Sequence, residues 1–597
     1  MKNFLTSLLG SLVALLIFVG GGILLMIGIL GAIVAMAGKK TPGIESNSYL
    51  VFDLATNITD APPLVDFGDL GDGRNETLQL RAVTRGLRRA ATDPRIKGVL
   101  LIGTLSPSGY GSGYAALREV RAALGAVRDA HKPVKAYMDF ATTKDYYLAS
   151  AASNVILNPY GMIYMPGLAS EPMFYAGAFE KYGVGVQVTR VGKYKSYVEP
   201  FIRKDMSPEN REQIQKLLGD VWGDLVSEVG VSRNVTPARI QATVDSEGLI
   251  RPEAARAAHL IDRTAYRDEL EAELKAETGV TEPKESFHEI TLAHYIKAPA
   301  DVVGKSGSKV AVVYAEGDIV DGEGEDDSVG GLKYAREIRE LREDPSVRAI
   351  VLRVNSPGGS ATAAEDIQRE VVLARKVKPV VVSMGSYAAS GGYWISAYGD
   401  RIFAEPTTIT GSIGVFGIQF DVQKLANNLG LTFDSVKTGK FADSITITRP
   451  KTPEEMDVFQ RMVDWIYGQF IAKVAEGRHL KPEFVQEIAQ GRVWSGTEAR
   501  KLGLVDEIGG LDAAIKFAAK RANLGPAYRV VEYPQTKELA EAIAEMLGKI
   551  APTGLHVRTS GWMREVERRI ETEFGHLRSF NDPVGIYARM PADLAIH

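Results

Sequence analysis

Cysteine is absent from all 597 residues. That excludes thiol catalysis, disulfides and cysteine-ligated metal sites. Histidine is scarce: eight residues, at positions 131, 259, 288, 294, 479, 556, 576 and 597, show no HExxH or other metal-ligand spacing. Charge of one sign is lacking too. With 70 basic against 74 acidic residues, the net charge of −4 gives no reason to expect a nucleic-acid partner. Beyond residue 38 no run is long and apolar enough to span a bilayer. What the length excludes is a single core, so two or more domains are expected.

The one long apolar run lies at the start. From Asn3 to Gly38 there is no charged residue, and about 20 apolar residues suffice to cross a bilayer. Ala35-Met36-Ala37 resembles a signal-peptidase site, but the run far exceeds the 7–15 residues of a cleaved signal. Residues 4–37 are therefore read as an uncleaved transmembrane helix. Lys2 lies on one side of it and Lys39 and Lys40 on the other, so orientation is poorly specified.

The remaining chain is duplicated. Arg88-Arg-Ala-Ala-Thr-Asp93-Pro94-Arg-Ile-Lys-Gly-Val-Leu-Leu101 returns as Arg339-Glu-Leu-Arg-Glu-Asp344-Pro345-Ser-Val-Arg-Ala-Ile-Val-Leu352. His131-Lys-Pro133-Val matches Val377-Lys-Pro379-Val, and Gly192-Lys193-Tyr194 matches Gly439-Lys440-Phe441. The offset drifts only from 251 (Arg88 to Arg339) to 244 (Asp262 to Asp506). Strands alternating with helices in each half argue for βα units and mainly parallel pairing. The expected organisation is an anchor over 1–46, a first repeat over 47–283, a connector over 284–308, a second repeat over 309–532 and a helical tail over 533–597. Helical arms are expected at 207–232 and 452–476. Glu316 to Asp327, acidic and glycine-rich, lacks EF-hand spacing and reads as a solvated loop.

The stretch Pro379-Val-Val-Val-Ser-Met-Gly-Ser-Tyr-Ala-Ala-Ser390-Gly-Gly-Tyr-Trp-Ile-Ser396 reads as a buried strand broken at Gly385, followed by a helix opening near Ser390. Small neighbours leave the Ser390 hydroxyl unobstructed, as a nucleophile needs. An ordinary serine capping a small-residue helix fits the same residues. The two halves differ here: the repeat position of Ser390 is Lys144. They differ again in Gly192-Lys193-Tyr194-Lys195-Ser196, where the position matching Lys195 is Ala442. One half has kept a serine and the other a lysine. Either this is drift at surface positions, or the site is completed across the interface between halves.

A serine nucleophile needs a base. Lysine serves only as the neutral amine, so burial or nearby positive charge must lower its pKa. A Ser-His-Asp triad is disfavoured, since no histidine lies between Ser390 and His479. Asn355-Ser356-Pro357-Gly358-Gly359, between a strand and a helix starting near Ala361, would present N–H groups to the oxyanion of an acyl intermediate. The first half reads Leu105-Ser106-Pro107-Ser108-Gly109 there and lacks one glycine.

Together with Val198-Glu199-Pro200-Phe201 and Ala389-Ser390-Gly-Gly-Tyr-Trp394, these motifs resemble the signal peptide peptidase A family (protease IV) in its long, duplicated form. The resemblance covers essentially the whole chain. It implies an α/β protein of tandem ClpP/crotonase-like domains with an N-terminal transmembrane helix. Asn-Ser-Pro-Gly-Gly359 and Glu498–Asp506 also resemble the ClpP proteases, whose histidine base this chain lacks. It further implies Ser390 as nucleophile, Lys195 as general base, the N–H of Gly359, helped by Gly358, as oxyanion hole, and Ser412 as a serine holding the lysine amine. Read from residues alone, Ser412 is equally a turn serine. The family implies a bacterial inner-membrane enzyme with its body on the periplasmic side. It would degrade signal peptide remnants and other unfolded hydrophobic peptides as a homotetramer, without metal or nucleotide cofactor. Two rivals stand beside this: a crotonase-like acyl-CoA enzyme, and a non-catalytic membrane scaffold. The scaffold predicts Lys195 far from Ser390, so the distance between them discriminates.

Overall fold

The computed structural model describes residues 43–63, 65–66, 76–298, 307–535, 537–538, 582 and 585–590. The anchor assigned to residues 4–37 lies outside the described residues, as does all of the helical tail expected over 533–597 except 533–535, 537–538, 582 and 585–590. Among the described residues no helix is long and apolar enough to cross a membrane.

Each repeat is built on a parallel sheet whose central strands carry buried apolar runs such as Val99–Leu101 and Val310–Ala315, because helices cover both faces. In the first, the order is Arg263–Thr264, Asn154–Tyr164, Val134–Thr142, Ile96–Ile102, Ser48–Asp53 and Glu289–Thr291, all paired in parallel. The second repeats the plan with Arg401–Ala404 and Ile409–Gly411 beside Val380–Ala389, then Val347–Ser356, Lys309–Glu316 and Arg529–Tyr533. The helices Leu80–Thr92 and Gly331–Glu343 occupy equivalent places. Leu80, Val83, Leu87 and Ala90 are buried along one face of the first. Both helices stop at an extended aspartate, Asp93 and Asp344, because the following proline disfavours helical backbone at the residue before it. The arms are helices over Pro208–Arg233 and Pro453–Arg478, capped by Ser207 and Thr452.

Three expectations need correction. Residues 289–297, read as connector, belong to the first repeat: Glu289–Thr291 adds the edge strand equivalent to Arg529–Tyr533, and the helix Leu292–Lys297 buries Leu292 and Tyr295. The strand entering Ser390 is not broken at Gly385 but runs to Ala389. Its register shifts opposite Val354 and Ser356, and Gly385 is needed because a methyl there would lie 2.6 Å from Asp60 Oδ2 and 3.0 Å from Asn355 Cβ. Finally, the tail is not only an appendage. Ile586–Arg589 is an interior strand of a third sheet, ordered Ser328–Gly330, Asp318–Val320, Gly358–Ser360, Ile586–Arg589, Val415–Asp421 and Gly185–Val191.

That third sheet ties the halves together: Gly185–Val191 of the first pairs antiparallel with Val415–Asp421 of the second over seven residues. A buried ion cluster is another tie. Arg353, wholly buried in the second sheet, reaches Asp60 at 2.7 Å and Glu119 at 2.8 Å, both from the first half.

Candidate active site

Ser390 sits at the junction between the strand Val380–Ala389 and the short helix Gly391–Ser396, as the N-cap residue. Its φ of 54° is left-handed, a conformation costing about 1–3 kcal/mol for a non-glycine residue unless its surroundings impose it. Here they do: the Ser390 N–H donates to the Gly411 carbonyl at 2.8 Å, and its carbonyl accepts from Trp394 at 2.8 Å. The turn therefore holds the hydroxyl away from both elements rather than using it as a cap; no side-chain capping bond is made.

Lys195 follows the strand Gly185–Val191, which the third sheet carries into the second half. Gly192, at φ 103°, lets the chain pass so close to Gln490 that a methyl would lie 3.0 Å from its Cα. The Tyr194 N–H donates to the Gln490 carbonyl at 2.9 Å. Behind the loop, Gln213 Nε2 donates to the Tyr194 carbonyl and to Ser196 Oγ, both at 3.0 Å, and its Oε1 accepts from the Val493 N–H at 3.3 Å. Glu199 and Asn210 complete this fully buried support. Sequence reasoning passed over Gln213, whose only signal is a polar residue on the buried face of a helical arm.

The two singled-out residues meet. Lys195 Nζ lies 2.7 Å from Ser390 Oγ, 3.1 Å from Ser412 Oγ and 3.2 Å from the Ser412 carbonyl oxygen. All three residues are 0 % exposed. Burial alone, with no carboxylate paired to it, pushes the Lys195 amine well below the ordinary lysine pKa. A neutral amine has two N–H donors and one lone pair. Ser412 offers two acceptors for the donors, leaving the lone pair to receive the Ser390 hydroxyl. Ser412, at φ 49°, is held by its N–H donating to the Arg492 carbonyl at 2.7 Å. Lys144, the repeat counterpart of Ser390, lies elsewhere and is half-buried, with its amine 5.5 Å from the Tyr114 ring centroid.

Gly358 and Gly359 adjoin the serine turn but are not equivalent. The Gly358 N–H is occupied, donating to Ser356 Oγ at 3.2 Å, which leaves Gly359 as the better placed donor of the two. Both have positive φ, 102° and 155°. A methyl on Gly358 would lie 2.6 Å from the Gly391 amide nitrogen, and one on Gly391 3.2 Å from that of Gly359. The Gly391 amide, next to Ser390, thus converges on the same place; sequence reasoning treated Gly391 only as a small neighbour. Gly359→Ala, whose methyl would overlap the Ile319 carbonyl, is expected to displace its own N–H and so lower kcat about 10²–10³-fold, the usual effect of losing one oxyanion donor. Steady-state kinetics checks this, with circular dichroism to separate a site defect from unfolding.

A buried serine, a neutral lysine amine and converging backbone N–H groups can together carry out acyl transfer. Among the described residues no cluster of His, Asp or Glu could hold a metal ion. Comparison with known proteins agrees with the chemistry. The model described as "Peptidase family S49" matches residues 126–281 and 373–525, one match in each repeat. The chain is 36% identical over 534 residues to "Protease 4" of Salmonella typhi, covering 87% of this chain and 85% of that one. It is 33% identical over 603 residues to "Protease 4" of Haemophilus influenzae, covering 95% and 94%. It is 31% identical to "Serine protease SPPA, chloroplastic" of Arabidopsis thaliana, covering 86% and 75%. The chain belongs to peptidase family S49, with the family's domain present twice, and is a serine protease.

Proposed function

We propose that this chain is a membrane-anchored endopeptidase that cleaves unfolded apolar peptides, signal peptide remnants among them, with Ser390 as nucleophile and Lys195 as general base. The observation that carries the reading is the 2.7 Å separation of Lys195 Nζ and Ser390 Oγ inside a wholly buried site. The neutral amine takes the Ser390 proton as Oγ attacks the substrate carbonyl carbon. Charge developing on the carbonyl oxygen is met by the Gly359 N–H, with Gly391 adjacent. Collapse expels the amine product, which receives the proton from Lys195. Water then attacks the acyl-serine, again giving its proton to Lys195, and the acid is released. Ser412 orients the amine throughout.

The ClpP/crotonase-like assignment of the repeats rests on the motifs and on parallel sheets of repeated βα units. Residues 4–37 supply the anchor by their length without charge; placement in a bacterial inner membrane with the body periplasmic follows the family resemblance. Apolar substrates suit a site whose surroundings include Ile214, Leu217, Ile409 and Val493. Assembly as a homotetramer follows the family resemblance; an irregular stretch in the second half exposes Leu429, Leu431, Phe433, Val436 and Ile445, apolar side chains open to such contacts.

A serine-reactive phosphonate tests the chemistry directly. It is expected to label Ser390, found by peptide mass mapping, and to leave Ser390→Ala unlabelled. An acyl-CoA enzyme of similar fold would form no acyl-serine; absence of label in folded enzyme would therefore sink the protease mechanism.

A further inference from the structure

The strand that leads into Ser390 and the loop that carries Gly359 are joined by a buried side-chain amide. The strands Val347–Ser356 and Val380–Ala389 keep one register as far as Val354, which faces Met384. Ser356 then faces Ala388, so the serine strand takes up two residues more than its neighbour. This bulge, residues 385–387, ends three residues before Ser390. Opposite it stands Asn355, the first residue of Asn-Ser-Pro-Gly-Gly359, which is buried. Its Oδ1 accepts the Tyr387 N–H at 3.1 Å. Its Nδ2 donates to Glu316 Oε1 at 2.9 Å and to the Tyr110 carbonyl at 3.2 Å. With an N–H on one side and two oxygens on the other, the amide fits only one way round.

The first half completes this joint. Tyr110 belongs to it, and Glu316 is itself held by two of its amides, the Ala61 N–H at 2.8 Å and the Asp60 N–H at 3.3 Å. The repeat shows what the joint accompanies. Where the first half has Lys144 in place of the nucleophile, the Asn355 position is Leu105. The strands Ser48–Asp53 and Lys309–Glu316 begin with the same register shift, after Ser48 and after Lys309. Those two residues therefore correspond, and counting on along the chain places Ala55 at the Glu316 position. The half without the nucleophile has neither member of the pair.

We infer that Asn355 is a positioning residue of the peptidase reaction: its amide locks the bulge before Ser390 to the loop of Gly359, and so sets the oxyanion donor against the nucleophile. The inference rests on the Ser390/Lys195 mechanism proposed above. Asn355 acts through the two backbone segments it joins, not on the reacting atoms. Loosening the joint shifts the Gly359 N–H relative to the oxyanion that forms on attack by Ser390 Oγ. Binding of the peptide before attack is unchanged, so the loss falls on kcat and not on KM. Because Tyr110, Asp60 and Ala61 hold the joint from the other side, the first half supplies more than Lys195: its docking aligns the oxyanion hole.

Steady-state kinetics of the full-length chain on an unfolded apolar peptide, well below the melting temperature of each variant, tests this. Asn355→Asp keeps the oxygen that faces Tyr387 and replaces the donor with a second carboxylate oxygen opposite Glu316. It is expected to lower kcat about 100-fold, the cost of a displacement of about 1 Å, with KM unchanged. Glu316→Gln, which turns that acceptor into a donor, should recover about 10-fold in the Asn355→Asp background and none in wild type. A role in stability alone would move the melting temperatures and leave kcat of the folded variants at the wild-type value. If Asn355→Asp does not fold, Asn355→Ala, which brings in no charge, decides by the same split of kcat and KM. Wild-type kcat in the folded variant, a change confined to KM, or no recovery in the double variant overturns the inference, and the dyad stands if Ser390→Ala is inert in the same assay. A Ser390→Ala enzyme that keeps its activity overturns the dyad and the inference with it.

Discussion

Replacing Lys195 with methionine is expected to lower kcat/KM on an unfolded peptide by ~10⁴-fold or more, the scale seen when a nucleophile loses its base, while raising the melting temperature. The two effects share one cause. Lys195 is fully buried, its amine hydrogen-bonds to neutral groups, and its pKa is driven down by burial. The folded chain thus holds this proton less tightly than the unfolded chain, and stability is lost as pH falls from the ordinary lysine pKa towards the depressed one. Methionine has similar length, no charge and no such loss. The melting-temperature gain over wild type should accordingly widen as pH is lowered through that window. Wild-type kcat/KM should rise with pH along a limb set by the same depressed lysine pKa. Lys195→Arg should be as inactive as the methionine variant, because a guanidinium is not deprotonated in a protein. Thermal melts and pH–rate profiles read all three results. An active Lys195→Arg enzyme would show that the base lies elsewhere.

Much of this site was legible because the chain carries its own comparison. Equivalent strands and helices recur at nearly constant offset, so the replacement of Ser390 by Lys144 and of Lys195 by Ala442 stands out against a shared background. What the duplication could not reveal are features belonging to one copy or to neither. The strand Ile586–Arg589 has no counterpart among the described residues of the first repeat. A four-residue strand whose partners lie at Gly358–Ser360 and Val415–Asp421 leaves no periodic signal. Glu289–Thr291 was hidden for a different reason: three residues with one buried side chain, following a charged stretch with Pro283, look like connector until their pairing with Ser48–Asp53 is seen. The break read at Gly385 came from treating glycine as a strand terminator. Here it is a close-approach residue within a continuous strand, with Asp60 of the other half pressed against it. Gly358 and Gly359 look alike in sequence, and the bond from the Gly358 N–H to Ser356 tells them apart as donors.

Arg353→Leu is expected to cost about 3–5 kcal/mol of stability, the usual price of leaving buried charge without its partner, and to remove activity because the proposed catalytic pair, Lys195 and Ser390, straddles the two halves. Arg353 Nε reaches Asp60, NH2 reaches Glu119, and NH1 donates to Ser383 Oγ at 2.8 Å. Around them lie two further carboxyls: Glu316, pushed up to about 7 by burial and by Asp60, and Glu405, pushed up to about 8 by burial and by Glu119. Both folded-state values exceed the unfolded ones, so each group's contribution is fully present at low pH and is lost as pH rises towards 7–8. Arg353 is among the charges that oppose the rise at Glu119 and Glu405, so removing it should steepen that loss. The deficit of Arg353→Leu relative to wild type should therefore be smaller at pH 5 than at pH 8. Adding Asp60→Asn, which removes one of the stranded carboxylates, should restore part of the stability, as residues in one buried network are not additive. Denaturant melts of the single and double variants at both pH values decide the matter. A melting curve for Arg353→Leu that matches wild type at pH 8 would mean that the antiparallel pairing of Gly185–Val191 with Val415–Asp421 holds the halves together without the ion cluster.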